Sequence, residues 1–216
     1  MTETHYRLAA DGIEVVFDPG SGMLRELAVT RDGRRSAPYA KAPWRDLPMD
    51  DPRFPAGTAP HLARLSIDFF CAPFAADDIE GTAPHGKTAN GRWRLVGEGR
   101  RGPVARATFA LDGSIAGLTV TKTLLVIDGH PFLYQQHVLA GATVAIPVAH
   151  HAMVDASGGL ELTTSPKAFA ETAGTPIETD PALGRSILAY PARAADPRRF
   201  PLADGTTADL YRYPIG

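Results

Sequence analysis

The 216-residue chain has only one cysteine, Cys71, so it cannot form an internal disulfide. It has no surplus of basic residues, because 22 Lys and Arg stand against 24 Asp and Glu, and this argues against a nucleic-acid partner. No apolar run approaches the roughly 20 residues that a membrane-spanning helix needs. The polar N-terminal stretch has no signal-peptide core. These absences predict a soluble cytoplasmic protein without a membrane partner, and leave its oligomeric state open.

Long stretches compatible with a helix are also lacking, because glycine and proline contribute 21 and 19 residues. Asp-Gly pairs begin at residues 11, 32, 112, 128 and 204, and Asn90 begins an Asn-Gly pair. Both dipeptides suit the positive φ angles of tight hairpin turns. The segments with strand character are 13–17, 24–30, 62–70, 92–96, 104–111, 118–127, 132–139 and 144–150. The pattern predicts a mainly β, antiparallel sandwich.

Histidine supplies the candidate chemistry, because its side chain can donate or accept a proton near neutral pH. His85 lies in the loop sequence APHGKTANGRW, and His137 lies in a predicted strand. His150 and His151 follow an apolar strand, and since strand side chains alternate, only one of them should face a given cleft. For each of these histidines, a structural role in a turn, a sheet or the core is the alternative.

Other kinds of site have weaker support in the sequence. His137 could meet His150 or His151 across strands, but the spacings typical of metal ligands are lacking, so no metal is predicted. The glycine-rich phosphate loops and the G-x-S-x-G nucleophile motif are missing as well. Cys71 has apolar neighbours, which predicts an inert, packed thiol. No cofactor is predicted.

Two segments carry a family resemblance. Residues 61–93 read HLARLSIDFFCAPFAADDIEGTAPHGKTANGRW, with a strand, a Pro-Phe turn, an acidic loop and a His-Gly element followed by Asn and Trp. Residues 118–154 form a strand–turn–strand segment with histidines after an apolar strand. Together they resemble the aldose 1-epimerase (galactose mutarotase-like) family. The resemblance implies a β-supersandwich, a single sugar-binding domain over residues 1–216 that is incomplete at its C-terminus.

The resemblance also implies an isomerase that interconverts the α and β anomers of a free sugar without a cofactor. His151, or His150 beside it, would be the general acid, and His85 would hydrogen-bond the sugar. The catalytic glutamate of the family falls beyond the end of this chain, and Ala75 and Lys87 depart from the usual pattern. A carbohydrate-binding protein without catalysis and a sugar lyase are the alternatives. Weaker candidates for contacts with sugar hydroxyls are Asn90, Arg64 and Gln136.

Overall fold

The computed structural model describes residues 5–176 and 186–214. The chain forms two compact units, Met1–Asp155 and Ala156–Gly216, which are described separately. The expected mainly β, antiparallel architecture is confirmed. The single domain expected over residues 1–216 stays a prediction. Within the described residues, no helix has both the length and the apolar character needed to cross a membrane.

Unit 1 is built from two antiparallel sheets. One sheet has the strand order β1-β2-β3-β5-β10, with β4 paired to β3, and the other has the order β6-β7-β8-β9. The elements are β1 (Tyr6–Ala10), β2 (Ile13–Asp18), β3 (Met23–Arg31), β4 (Arg34–Ser36), α1 (Pro60–Ala63), β5 (Asp68–Cys71), α2 (Gly86–Asn90), β6 (Trp93–Arg101), β7 (Val104–Leu111), β8 (Thr119–Ile127), β9 (Tyr134–Ala140) and β10 (Ala149–His150).

Unit 2 is made of short paired strands. β11 pairs with β16, β12 with β13, and β14 with β15, all antiparallel. Its elements are β11 (Leu160–Glu161), β12 (Ala170–Glu171), β13 (Arg193–Ala194), a 3-10 turn (Pro197–Arg199), β14 (Phe200–Pro201), β15 (Thr207–Ala208) and β16 (Arg212–Tyr213).

The two sheets of unit 1 pack face to face because strands such as β2, β7 and β8 each have one buried apolar side. In β7, Ala105, Ala107, Phe109 and Leu111 are buried, as their alternation with polar residues predicts. The Phe109 ring lies 4.5 Å from the ring of Phe17 on the opposite sheet. Burying a side chain of this size contributes about 1.5–3 kcal/mol. These contacts hold the sheets together and fix which strand edges lie near one another.

The turn prediction is confirmed at every Asp-Gly pair and is wrong at the Asn-Gly pair. The glycines at 12, 33, 113, 129 and 205 all have positive φ angles. Gly12 closes a two-residue hairpin in which Ala10 pairs with Ile13. Gly91 instead has a φ angle of −103° and follows α2, a five-residue helix that ends at Asn90.

Two predicted strands are shorter than expected. The segment 62–70 begins with α1, because Pro60 suits the first turn of a helix, and the strand is confined to Asp68–Cys71. The segment 144–150 is a strand only at Ala149–His150. Pro147 interrupts the earlier part, since proline cannot donate a backbone hydrogen bond to a neighbouring strand. The short pairing of β5 with β10 is nevertheless what builds the candidate site.

Candidate functional site

β5 is the central element of the site, because both of its faces are covered. Phe70 belongs to the core between the sheets, whereas Phe69 and Cys71 pack on the other side with Met23 and Ala89. β10 pairs with β5 so that His150 lies opposite Phe70. His151 follows on the other face, where its ring stacks on Phe69. The expectation that His150 and His151 face different surroundings is confirmed.

On the Phe69 side, three imidazole rings form what we call the histidine cluster, consisting of His61, His85 and His151. The His85 ring lies 5.1 Å from the ring of His61 and 5.4 Å from that of His151, measured between centroids. Phe69 stacks almost parallel to His151 at 4.8 Å. The exposed ring of Phe74 lies 5.5 Å from His85. The cluster therefore combines imidazole groups with an accessible aromatic surface.

The backbone around His85 fixes the orientation of its ring. His85 has a φ angle of 68°, in the left-handed region, and its N–H donates to the carbonyl of Ala75 at 2.7 Å. The N–H of Ala75 in turn donates to His85 Nδ1 at 3.3 Å. Because Nδ1 accepts this hydrogen bond, the neutral ring carries its proton on Nε2. His85 therefore offers an N–H donor at Nε2.

Asn90 holds the neighbouring ring of His61. Its amide nitrogen donates to the carbonyls of Pro84 and Gly86 at 2.9 and 2.8 Å, so its Oδ1 is turned towards His61. Both the backbone N–H and Nδ1 of His61 lie 3.0 Å from this oxygen. Since Oδ1 can only accept, His61 Nδ1 is the donor, and the neutral ring has its lone pair on Nε2. Asn90 thus positions His61 and the loop that carries His85.

Burial keeps part of the cluster neutral. Desolvation lowers the pKa of His61, and the positive charge that His151 would carry lowers it further. Desolvation likewise lowers the pKa of His85, with smaller contributions from His61 and His151. Protonation of all three neighbouring imidazoles is energetically unfavourable, because each positive charge disfavours the protonation of the next ring. At neutral pH, His61 and His85 are therefore uncharged rings with defined donor and acceptor atoms.

On the other face of β5, a carboxylate occupies the inner edge of the sandwich. Asp68 is buried, and its Oδ2 lies 3.0 Å from His150 Nδ1 and accepts from Gln135 Nε2 at 2.8 Å. The pKa of Asp68 is lowered: desolvation alone would raise it, but hydrogen bonds from His150 and Gln135 and nearby positive charge outweigh that effect. Asp68 is therefore ionised at neutral pH.

The positive charge near Asp68 belongs to a fully buried lysine, Lys122. Its Nζ donates to the carbonyl of Gly22 at 2.8 Å and lies about 5 Å from the ring centroids of Phe17 and Trp93. Burial lowers the pKa of Lys122 to about 8, although the negative charge of Asp68 opposes the shift. The Asp68 carboxylate is therefore balanced electrostatically inside the protein.

His137 also lies on the Asp68 side of β5. Its ring stacks on Phe70 at 3.9 Å and lies 5.1 Å from the ring of His150. Burial, helped by the charge of Lys122, lowers the pKa of His137 to about 2. His137 and His150 do approach each other, as the metal alternative required, although they belong to different sheets. Within the part of the chain that the structure describes, no three His, Cys, Asp or Glu side chains are grouped to hold a metal ion.

The remaining predicted residues lie apart from the histidine cluster or are engaged in other contacts. Arg64 Nη1 lies 3.4 Å from Asp18 Oδ2, which ties the end of α1 to the end of β2. Gln136 is exposed on the outer side of β9, opposite to Gln135. Their predicted contacts with sugar hydroxyls stay predictions. Cys71 is buried, and desolvation raises the pKa of its thiol to about 12, as expected for an inert thiol.

Two residues of this region were not singled out from the sequence. His61 precedes a predicted strand, and its role depends on Asn90, which lies 29 positions later. Asp68 is the one charged residue in the run Ile67–Cys71, and a charge inside an apolar strand signals a buried partner. That signal was available in the sequence, whereas the identity of the partner was not.

Comparisons with protein-family models, with curated proteins and with solved structures found no match for this chain.

Proposed function

We propose that unit 1 is an aldose 1-epimerase-like isomerase that binds a free sugar at the histidine cluster and interconverts its α and β anomers. The observation that carries the proposal is the convergence of His85 with His61 and His151 beside the exposed ring of Phe74. Small-molecule sites typically combine an aromatic surface with a few convergent polar groups. A pyranose offers both an apolar ring face and several hydroxyls to such a site.

The proposed chemistry is general acid–base catalysis of ring opening. Protonated His151 gives its proton to the ring oxygen while a solvent water molecule accepts the proton of the anomeric hydroxyl, so that the bond between C1 and the ring oxygen breaks and an open-chain aldehyde forms. Rotation about C1–C2 and the reverse proton transfers close the ring in the other configuration. His85 donates a hydrogen bond from Nε2 to the ring oxygen, where charge changes during the reaction.

A carbohydrate-binding protein without catalysis is the second candidate, and one observation favours it. Of the groups able to accept the proton of the anomeric hydroxyl, His61 is buried, and the carboxylate of Asp68 lies on the opposite face of β5. Hydroxyl recognition needs only hydrogen-bonding groups in fixed positions, and the neutral ring of His85 provides a donor at Nε2. Binding without proton transfer would therefore use the same residues.

The first prediction concerns exchange between anomers. The 216-residue protein is expected to accelerate exchange between α- and β-anomers of at least one sugar in a panel of aldohexoses and aldopentoses, measured by saturation-transfer NMR. His151→Ala and His85→Ala are each expected to reduce the rate about 100-fold or more, because the first removes the proposed proton donor and the second removes the hydrogen-bond donor to the ring oxygen. His130→Gln is the matched control, since His130 is exposed on the turn before β9.

Binding of the same sugars, followed by ligand-observed NMR, separates the two candidates. Saturable binding that is lost in His85→Ala, without acceleration of exchange, would favour the binding protein over the isomerase. Acceleration that survives in both His151→Ala and His85→Ala would contradict the assigned roles. Neither binding nor acceleration for any sugar would overturn both candidates.

A further inference from the structure

A cavity of unit 1 lies on the Asp68 side of β5, away from the histidine cluster. It has a volume of about 410 Å³, and its polar lining includes Asp68 and Gln135. Its walls are largely apolar and come from β3 and from the segment that leads into β9. The apolar residues along it include Leu24, Leu27, Val29, Phe132 and Leu133. We call it the Asp68–Gln135 cavity.

The orientation of Gln135 is fixed by Asp68. Because the amide nitrogen of Gln135 donates to Asp68 Oδ2 at 2.8 Å, its Oε1 points away from the carboxylate. This oxygen is buried and has no hydrogen-bond partner among the described residues. Buried polar atoms in native proteins are almost always paired, and an unpaired one calls for an explanation. A carbonyl oxygen can be satisfied only by a donor.

His137 supplies a second atom of the same kind, two residues along the same strand. Gln135 and His137 share the inward side of β9, whereas Gln136 between them is exposed. Nε2 of His137 is buried and also has no partner among the described residues. The stacking of its ring on Phe70 prevents the imidazole from turning freely towards another partner. Of these two residues, Gln135 lines the cavity and His137 does not, so Gln135 Oε1 is the atom that concerns a ligand there.

Charge decides which polar group of a ligand fits Gln135 Oε1. Asp68 is already held by His150 and Gln135 and balanced by the buried ammonium of Lys122, so an added cation gains little and meets like charge. A carboxylate cannot donate to Gln135 Oε1, and it would meet the charge of Asp68. A hydroxyl is uncharged and can donate a hydrogen bond, so it suits the carbonyl of Gln135.

We propose that the Asp68–Gln135 cavity is a second small-molecule site, which binds a neutral hydroxyl compound with an apolar body. The hydroxyl donates to Gln135 Oε1, and the apolar part packs against the walls supplied by β3 and the segment before β9. The site is distinct from the histidine cluster, because the two lie on opposite faces of β5. The proposed second site is therefore independent of the proposed isomerase, and evidence against one does not count against the other.

The test uses four probes that share one ring and differ in one group: benzyl alcohol, toluene, benzylamine and benzoate. Binding to the ¹⁵N-labelled 216-residue protein is followed through the side-chain amide signals of Gln135. Benzyl alcohol is expected to bind saturably and about tenfold more tightly than toluene, because only the alcohol can donate to the carbonyl. Benzylamine, which is protonated at neutral pH, and benzoate are expected to bind more weakly than the alcohol.

Variants then locate the binding. Gln135→Met keeps the approximate size of the side chain and removes its polar atoms, and it is expected to weaken benzyl alcohol binding about tenfold or more. For the variants, binding is measured by ligand-observed NMR. Gln136→Met is the matched control on the outer side of the same strand and should leave binding within about twofold.

The proposal is overturned by any of three results: toluene binding as tightly as the alcohol, benzylamine binding more tightly than the alcohol, or no saturable change with any probe. Alcohol binding that persists in Gln135→Met would overturn it as well. The backbone spectrum of each variant shows whether it is folded, and if one is not, the comparison of the four probes on the parent protein still decides. Anomer exchange by the parent is measured separately and does not enter this test.

Discussion

Lowering the pH from 7 to 5 is expected to cost the folded protein about 2 kcal/mol through His137 alone. The pKa of His137 falls from an ordinary 6.5 to about 2 in the folded state, so the folded chain leaves this ring neutral throughout the range. The unfolded chain takes up the proton below pH 6.5. Since the unfolded state binds more protons, stability is greatest above pH 6.5 and declines as the pH falls. Urea unfolding at pH 7, 6 and 5 measures the loss.

The variant His137→Phe should remove most of this pH dependence, because phenylalanine can stack on Phe70 and has no proton to gain. A smaller decline should remain, since the pKa values of His61 and His85 are also lowered by burial. His130→Gln, at an exposed position, is the control and should decline as steeply as the parent. If the parent were equally stable at pH 7 and pH 5, His137 would be taking up its proton without unfolding.

The sequence predicted much of the sheet architecture because that architecture depends on local signals. Alternation of apolar residues identified the buried face of β7, and each Asp-Gly pair gave a glycine with positive φ. The failure at α2 has a non-local origin. The segment 86–90, which forms α2, begins with glycine and ends with asparagine, neither of which favours a helix interior, and it is held by contacts with the rest of the chain.

The candidate site was only partly predictable, because its key contacts join distant parts of the chain. The alternation of strand side chains was enough to place His150 and His151 on opposite faces. It could not show that His150 would meet Asp68, which lies 82 positions earlier, because that contact depends on the pairing of β5 with β10. The approach of His61 to His85 likewise depends on a single amide, that of Asn90. Composition and spacing carry no information about such pairings.

Gly86 begins α2 and directly follows His85 of the histidine cluster. Its replacement by alanine is expected to be severely destabilising. A Cβ atom at this position would lie 2.3 Å from the carbonyl oxygen of Ala72 and 2.7 Å from Cδ of Pro73. Neither neighbour is the end of a flexible side chain. The φ angle of +65° adds a conformational cost of about 1–2 kcal/mol for any L-residue. Together these effects should lower the free energy of unfolding by at least about 3 kcal/mol.

Gly81 allows the two costs of Gly86→Ala to be separated. It lies in the same loop with the same φ angle of +65°, but a Cβ atom there would meet nothing within 4 Å. Gly81→Ala should therefore cost only the conformational term, about 1–2 kcal/mol. The difference between the two variants, measured by urea unfolding, isolates the steric contact with Ala72 and Pro73. Equal losses would mean that the loop moves freely, and His85, which directly precedes Gly86, would then not be held in the orientation that the cluster requires.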